Sequence, residues 1–149
     1  MSNWIRFTIN NKNFFGTVEN EKITQYEGEM FGDCVKTDNI YELDKVKIIN
    51  PCMPTKVIAL WNNYKSLAKE KGLEKPNNPL YLNKAVSCII DQGDKIIRPK
   101  TYSENIFFEG ELGIVIGKKC KEVDIESSKD FIFGYTCIND VTAMDLVKK

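Results

Sequence analysis

Short β-prone runs divided by turn-forming residues recur along this chain, and they limit what it can become. WIRFTIN, NFFGTVEN and KITQYEGE follow one another within residues 3–50, separated by Asn-rich and Gly-containing turns. Pro51 and Pro54 then punctuate entry into a new strand, KVIALW. The stretch NNYKSLAKEKG predicts a short helix, with Tyr64, Leu67 and Ala68 on one stripe and Gly72 as its stop. PLYLNKAVSCII is apolar and β-prone, and DQGD is a turn. Residues 125–133 have a helical look, YTCIN reads as a strand, and VTAMDLVKK starts another helix. Strands dominate and helices are few and short, so the expected class is α+β with a β-rich core.

One strand stands apart. In IFFEGELGIVIG, residues 106–117, alternate side chains go to opposite faces. Ile106, Phe108, Leu112, Ile114 and Ile116 form a row expected to face the core. The other face carries Glu109 and Glu111, whose Cα atoms sit roughly 6.5–7 Å apart on a strand. Two neighbouring carboxylates repel unless something positive lies near them. A lysine or arginine partner meets that need, and so does a divalent cation. A third carboxylate, Asp140, ends the run GYTCIND where strand gives way to helix. Three carboxylates describe a hard, all-oxygen site suited to Mg2+ or Mn2+, with Ca2+ also possible.

Composition narrows the chemistry further. There is no histidine, which removes the usual general base near neutral pH and the commonest zinc ligand. Lys plus Arg and Asp plus Glu balance at 21 each, so charge gives no case for a nucleic-acid partner. The five cysteines are scattered without a CxxC pair, as expected of reduced thiols. Neither a signal peptide nor an apolar stretch of membrane-spanning length is present in the sequence, so no membrane role and a cytoplasmic setting are expected.

FFEGELGIVIGKKCKEV followed by FIFGYTCINDVTAMDL resembles the fumarylacetoacetate hydrolase family, with its E-x-E strand, V-I-G-K and G-Y-x-x-x-N-D-x-T-x-x-D. PTKVIALWNNYKSLAKEKG and PLYLNKAVSCIIDQGDKIIRP resemble the family's N-Y loop and P-x-x-F-x-K segment. The resemblance implies a mixed β-sheet roll or sandwich core over residues 51–149, preceded by a small β segment over residues 1–50. It implies Glu109, Glu111 and Asp140 as metal ligands, a 2-oxo acid as substrate, enolate-stabilising chemistry, and a homodimer. The family's later K-x-x-D and G-P segments have no counterpart before Lys149, so the catalytic domain is expected to be cut short.

Two departures affect the expected reaction. Leu67 stands where many members of the family carry the histidine of N-Y-x-x-H-x-x-E, although Glu70 is kept; Met144 replaces the arginine of T-A-R-D, although Asp145 is kept. The lost histidine favours isomerase, hydratase or decarboxylase chemistry over C–C hydrolysis. Glu70 and Lys84 are the candidate catalytic residues by resemblance. By pattern alone Glu70, between Lys69 and Lys71, is more often a solvated charge, while Lys84 reads equally as an edge-strand lysine. Asn139 orders the turn before Asp140 or supports a ligand, and Trp61 and Tyr64 line either a pocket or the core.

Overall fold

The computed structural model describes residues 2–147. The chain divides into two compact units, Met1–Pro51 with Gln92–Lys149, and Cys52–Asp91.

In the first unit, β1 (Asn3–Ile9), β2 (Lys12–Glu19), β3 (Lys22–Gly28), β4 (Cys34–Glu42) and β5 (Lys47–Ile49) make one antiparallel sheet in the order β4-β3-β2-β1-β5. Two-residue corners join the first three strands. Asn10 and Asn11 have φ of 51° and 59°, and Asn20 and Glu21 have 49° and 62°. Positive φ at both central positions makes a type I′ turn, whose twist matches the strands it joins and which asparagine tolerates well.

One face of this sheet carries the core. Phe7 and Ile23 are fully buried there; Ile49 is buried too but pairs with Arg6, which puts it on the opposite face. Phe7 lies 5.8 Å from Phe14 and 5.4 Å from Tyr41, ring centre to ring centre. Gln25 is also buried, and its Oε1 accepts a 3.0 Å hydrogen bond from the Tyr41 hydroxyl. That bond offsets the desolvation of the amide. Gly16 faces Gln25 in the register; a Cβ there would run into the Thr24 carbonyl, so only glycine fits. The opposite face gathers Trp4, Phe15 and Tyr26.

The same unit holds the ribbon of β8 (Gly110–Ile116) and β9 (Ile132–Asn139), paired antiparallel. A register shift between Val115 and Ile116 lies opposite Phe133, whose ring packs 5.9 Å from Trp4 and 4.7 Å from Phe31. Those aromatic contacts anchor the ribbon to the aromatic face of the five-stranded sheet. The helix α2 (Met144–Val147) follows.

The second unit pairs β6 (Val57–Trp61) with β7 (Leu80–Lys84), and α1 (Lys65–Glu70) lies between them in sequence. Gly72 follows α1 at φ 63°, the left-handed stop expected of it. Among the described residues every strand pairing is antiparallel and helices are few and short, as the β-rich class requires.

Two expectations need correction. Residues 125–133 do not form an α-helix: Ser128–Phe131 is a single 3-10 turn, and β9 begins at Ile132. The β-branched and aromatic run IFGYTCI prefers a ladder partner in β8 to a helical turn. The row Phe108, Leu112, Ile114 and Ile116 is not buried, being 82%, 62%, 53% and 54% exposed. Alternation sets which side these residues occupy, but burial needs a second layer on that side, and the described residues supply none.

The cost of losing a buried ring should separate core from surface. Phe7→Ala is expected to lower unfolding free energy by about 3–5 kcal/mol, whereas Phe108→Ala should change it by less than about 0.5 kcal/mol. Urea denaturation followed by tryptophan fluorescence measures both.

Candidate metal centre

The β8–β9 register decides which side chains meet. Gly110 pairs with Asn139 and Glu111 with Ile138. Beyond the ladder's end the Asp140 N–H donates to the Glu109 carbonyl at 2.8 Å, so Glu109 and Asp140 stand opposite one another. Directly opposed residues in an antiparallel pair project to the same side. Glu109, Glu111 and Asp140 therefore share one face at one end of the ribbon, and all three are half-buried. Gly113 continues that face: a Cβ there would press on the side chains of Thr136 and Ile138.

Glu109 is held at several points. Its N–H donates to Asn139 Oδ1 at 3.3 Å, and its Oε2 accepts from the Thr142 hydroxyl at 3.0 Å. Thr142 is fixed in turn, because it exchanges two backbone hydrogen bonds with Phe107, at 2.9 and 3.0 Å. The Asn139 side chain thus reaches across the ribbon to Glu109 from the last residue of β9. Thr142 was not singled out from the sequence, yet its spacing was a usable signal: it lies two residues beyond Asp140 on extended chain, hence on the same face.

The donor chemistry suits a hard divalent cation: three carboxylates, all oxygen, without a soft ligand among them. Among the described residues no group of three or more acidic or thiol side chains is gathered closely enough to hold a metal ion. Glu70 and Lys84 belong to the second unit. Glu70 is exposed on the last turn of α1, and Lys84 is half-buried at the end of β7, paired with Val57.

The loop before β8 makes a contact that no pattern in the sequence announces. Tyr102 is buried, and its hydroxyl sits 3.1 Å from both Asp145 Oδ2 and the Asn105 carbonyl, donating to one at a time. It ties the loop before β8 to the first turn of α2. Arg98 closes the same loop through a 2.6 Å bond to the Glu104 carbonyl. Burial, and then the bond with the Asp145 carboxylate, push the Tyr102 hydroxyl above its ordinary value of 10.0.

Comparison with known proteins identifies the chain's relatives. The family described as "Fumarylacetoacetate (FAA) hydrolase C-terminal" matches residues 56–149, and "Rv2993c-like, N-terminal" matches residues 3–51. The chain belongs to the fumarylacetoacetate hydrolase family. It is 46% identical over 101 residues to the protein MJ1656 of Methanocaldococcus jannaschii, covering 68% of this chain and 42% of that one. It is 35% identical over 114 residues to the oxaloacetate tautomerase YisK of Bacillus subtilis, covering 74% of this chain and 38% of that one. Among solved structures, 2-hydroxyhepta-2,4-diene-1,7-dioate isomerase from Mycobacterium marinum superposes with a TM-score of 0.86 at 28% identity, covering 99% of this chain and 57% of that one. The chain thus spans about half the length of the relatives it matches. Among the described residues no helix is long and apolar enough to cross a membrane.

The raised Tyr102 hydroxyl has a signed consequence for stability. The folded state holds this proton more tightly than the unfolded chain, so its contribution is complete below pH 10.0 and lost as pH rises through the raised value. Tyr102→Phe should therefore show a flatter fall in stability above about pH 10 than the wild type. Thermal unfolding between pH 8 and 11 checks this, and parallel curves for the two proteins would refute it.

Proposed function

We propose that this chain carries the metal-binding part of a divalent-metal-dependent enzyme acting on 2-oxo acids that bear a second oxygen function. The observation that carries the reading is the shared face of Glu109, Glu111 and Asp140, with the Glu109 carboxylate fixed by Thr142. The three carboxylates would hold Mg2+ or Mn2+. Such a cation, when bound, supplies positive charge to the oxygens of a 2-oxo carboxylate and lowers the cost of removing a neighbouring proton.

The chain's own residues orient and exclude. Glu109, Glu111 and Asp140 fix the direction from which a bidentate substrate approaches. By the family resemblance alone, Glu70 and Lys84 of the second unit take the proton-handling roles, with Leu67 in the histidine position. A carboxylate and an amine suffice for moving a proton between carbon and oxygen. Water activation for C–C cleavage is served less well by this set. Keto–enol tautomerisation or a related isomerisation, hydration or decarboxylation is the favoured reaction class. The named relatives, a tautomerase and an isomerase, support that choice.

A second reading is a metal and 2-oxo acid binding unit that turns over only when a further polypeptide layer covers it. The exposed row Leu112, Ile114 and Ile116 favours it, since an apolar sheet face of this kind is usually covered in a working domain.

Calorimetric titration with Mn2+, alone and with oxalate as a mimic of an enolised 2-oxo acid, tests the site. Wild type should bind both, and Glu109→Gln/Glu111→Gln and Asp140→Asn should each weaken Mn2+ binding by at least about 10-fold. Variants that bind as the wild type does would remove the site. Turnover of oxaloacetate enol by the same samples then separates the readings: metal and oxalate binding without turnover selects the second.

A further inference from the structure

We infer that Thr142 is a positioning residue, its hydroxyl aiming the Glu109 carboxylate so that the other oxygen, Oε1, faces the cation. The inference rests on the metal reading above and adds a residue to it.

Three observations carry it. The Thr142 hydroxyl donates to Glu109 Oε2 at 3.0 Å, and a threonine hydroxyl has one proton to give. A bond from a neutral donor to a carboxylate is charge-assisted, hence directional and persistent. The donor is itself immobile: the Thr142 N–H and carbonyl are both engaged by Phe107, and the branched Cβ restricts its rotamers on extended chain. The acceptor's main chain is equally fixed, through Asp140 N–H on its carbonyl and Asn139 Oδ1 on its N–H. What remains free in Glu109 is side-chain torsion, and the Thr142 bond is what limits it. Ordering a glutamate is entropically costly at the moment of metal binding unless it has been done beforehand. A residue that only filled space beside the ribbon would need its methyl group and not its hydroxyl.

The experiment separates those roles. Mn2+ binding to the full chain is measured by calorimetry for wild type, Thr142→Val, Thr142→Ala and Thr142→Ser, with Glu109→Gln as the site control. Melting of each variant is followed in EDTA. Thr142→Val keeps the shape and loses the donor; it should bind Mn2+ about 10–100-fold more weakly while melting within a few degrees of the wild type. Thr142→Ser keeps the donor and should stay within about 3-fold of wild type. Should Thr142→Val fail to fold, Thr142→Ala takes its place against Thr142→Ser. Binding by Thr142→Val or its substitute within 2-fold of wild type overturns the inference, and so does Thr142→Ser as weak as the donor-free variant. A wild type that binds no Mn2+, or a Glu109→Gln variant that binds as tightly, overturns the metal reading itself and this inference with it; the control identifies that route.

Discussion

The pairing of β8 with β9 is the constraint on which the site depends. Gly110 opposite Asn139 puts Glu109 opposite Asp140, two residues otherwise far apart in sequence. Because side chains alternate along a strand, a slip of one position would send Asp140 to the other face and leave Glu109 beside Asn139. The irregularity between Val115 and Ile116 sits at the far end of the ladder. The end that carries the carboxylates is in regular register, and Asp140, Asn139 and Thr142 extend the pairing beyond it by hydrogen bonds of their own. Precision at the site therefore comes from backbone pairing, with the side-chain bond to Glu109 adding the last degree of order.

Burial around this ribbon runs opposite to a simple hydrophobicity rule. The carboxylate face is half-buried, while the aliphatic face is largely open. A charged group in a partly desolvated position is costly unless hydrogen bonds or an opposite charge attend it. Glu109 has the former from Thr142. The relatives of known structure are longer chains that share this fold, and only about 57% of the Mycobacterium marinum isomerase corresponds to the residues described above. The aliphatic row is bare among the described residues, and a sheet face of this kind is buried only where a second layer packs on it.

Much of this was legible from residues. The alternation in residues 106–117 correctly separated an acidic from an aliphatic face, and the strand end at Asp140 emerged from the change of pattern after Asn139. Gly72 and the Asn-rich corners were read from turn chemistry, which is local and so survives without tertiary context. What failed depended on partners. Residues 125–133 have spacing compatible with a helix, and only the availability of β8 decides that the run from Ile132 becomes strand. Burial of the aliphatic row was inferred from period alone, which orients side chains but says nothing of what lies across from them. Tyr102 sits in a loop without period, so its bond to Asp145 could be found only in three dimensions.

The asparagine corners have a consequence for the order in which the chain organises itself. With Asn10–Asn11 and Asn20–Glu21 already disposed toward tight reversal, β1, β2 and β3 form contacts between near neighbours in sequence. Hairpins of that kind close on a timescale of about 1–10 μs, because little chain entropy is lost in joining their ends. The β8–β9 ribbon must instead bring together strands divided by residues 117–131, and its anchor, Phe133, needs Trp4 already in place. The early meander thus acts as a template on which the later ribbon registers. On this account the carboxylate face takes shape only after the meander that anchors its ribbon.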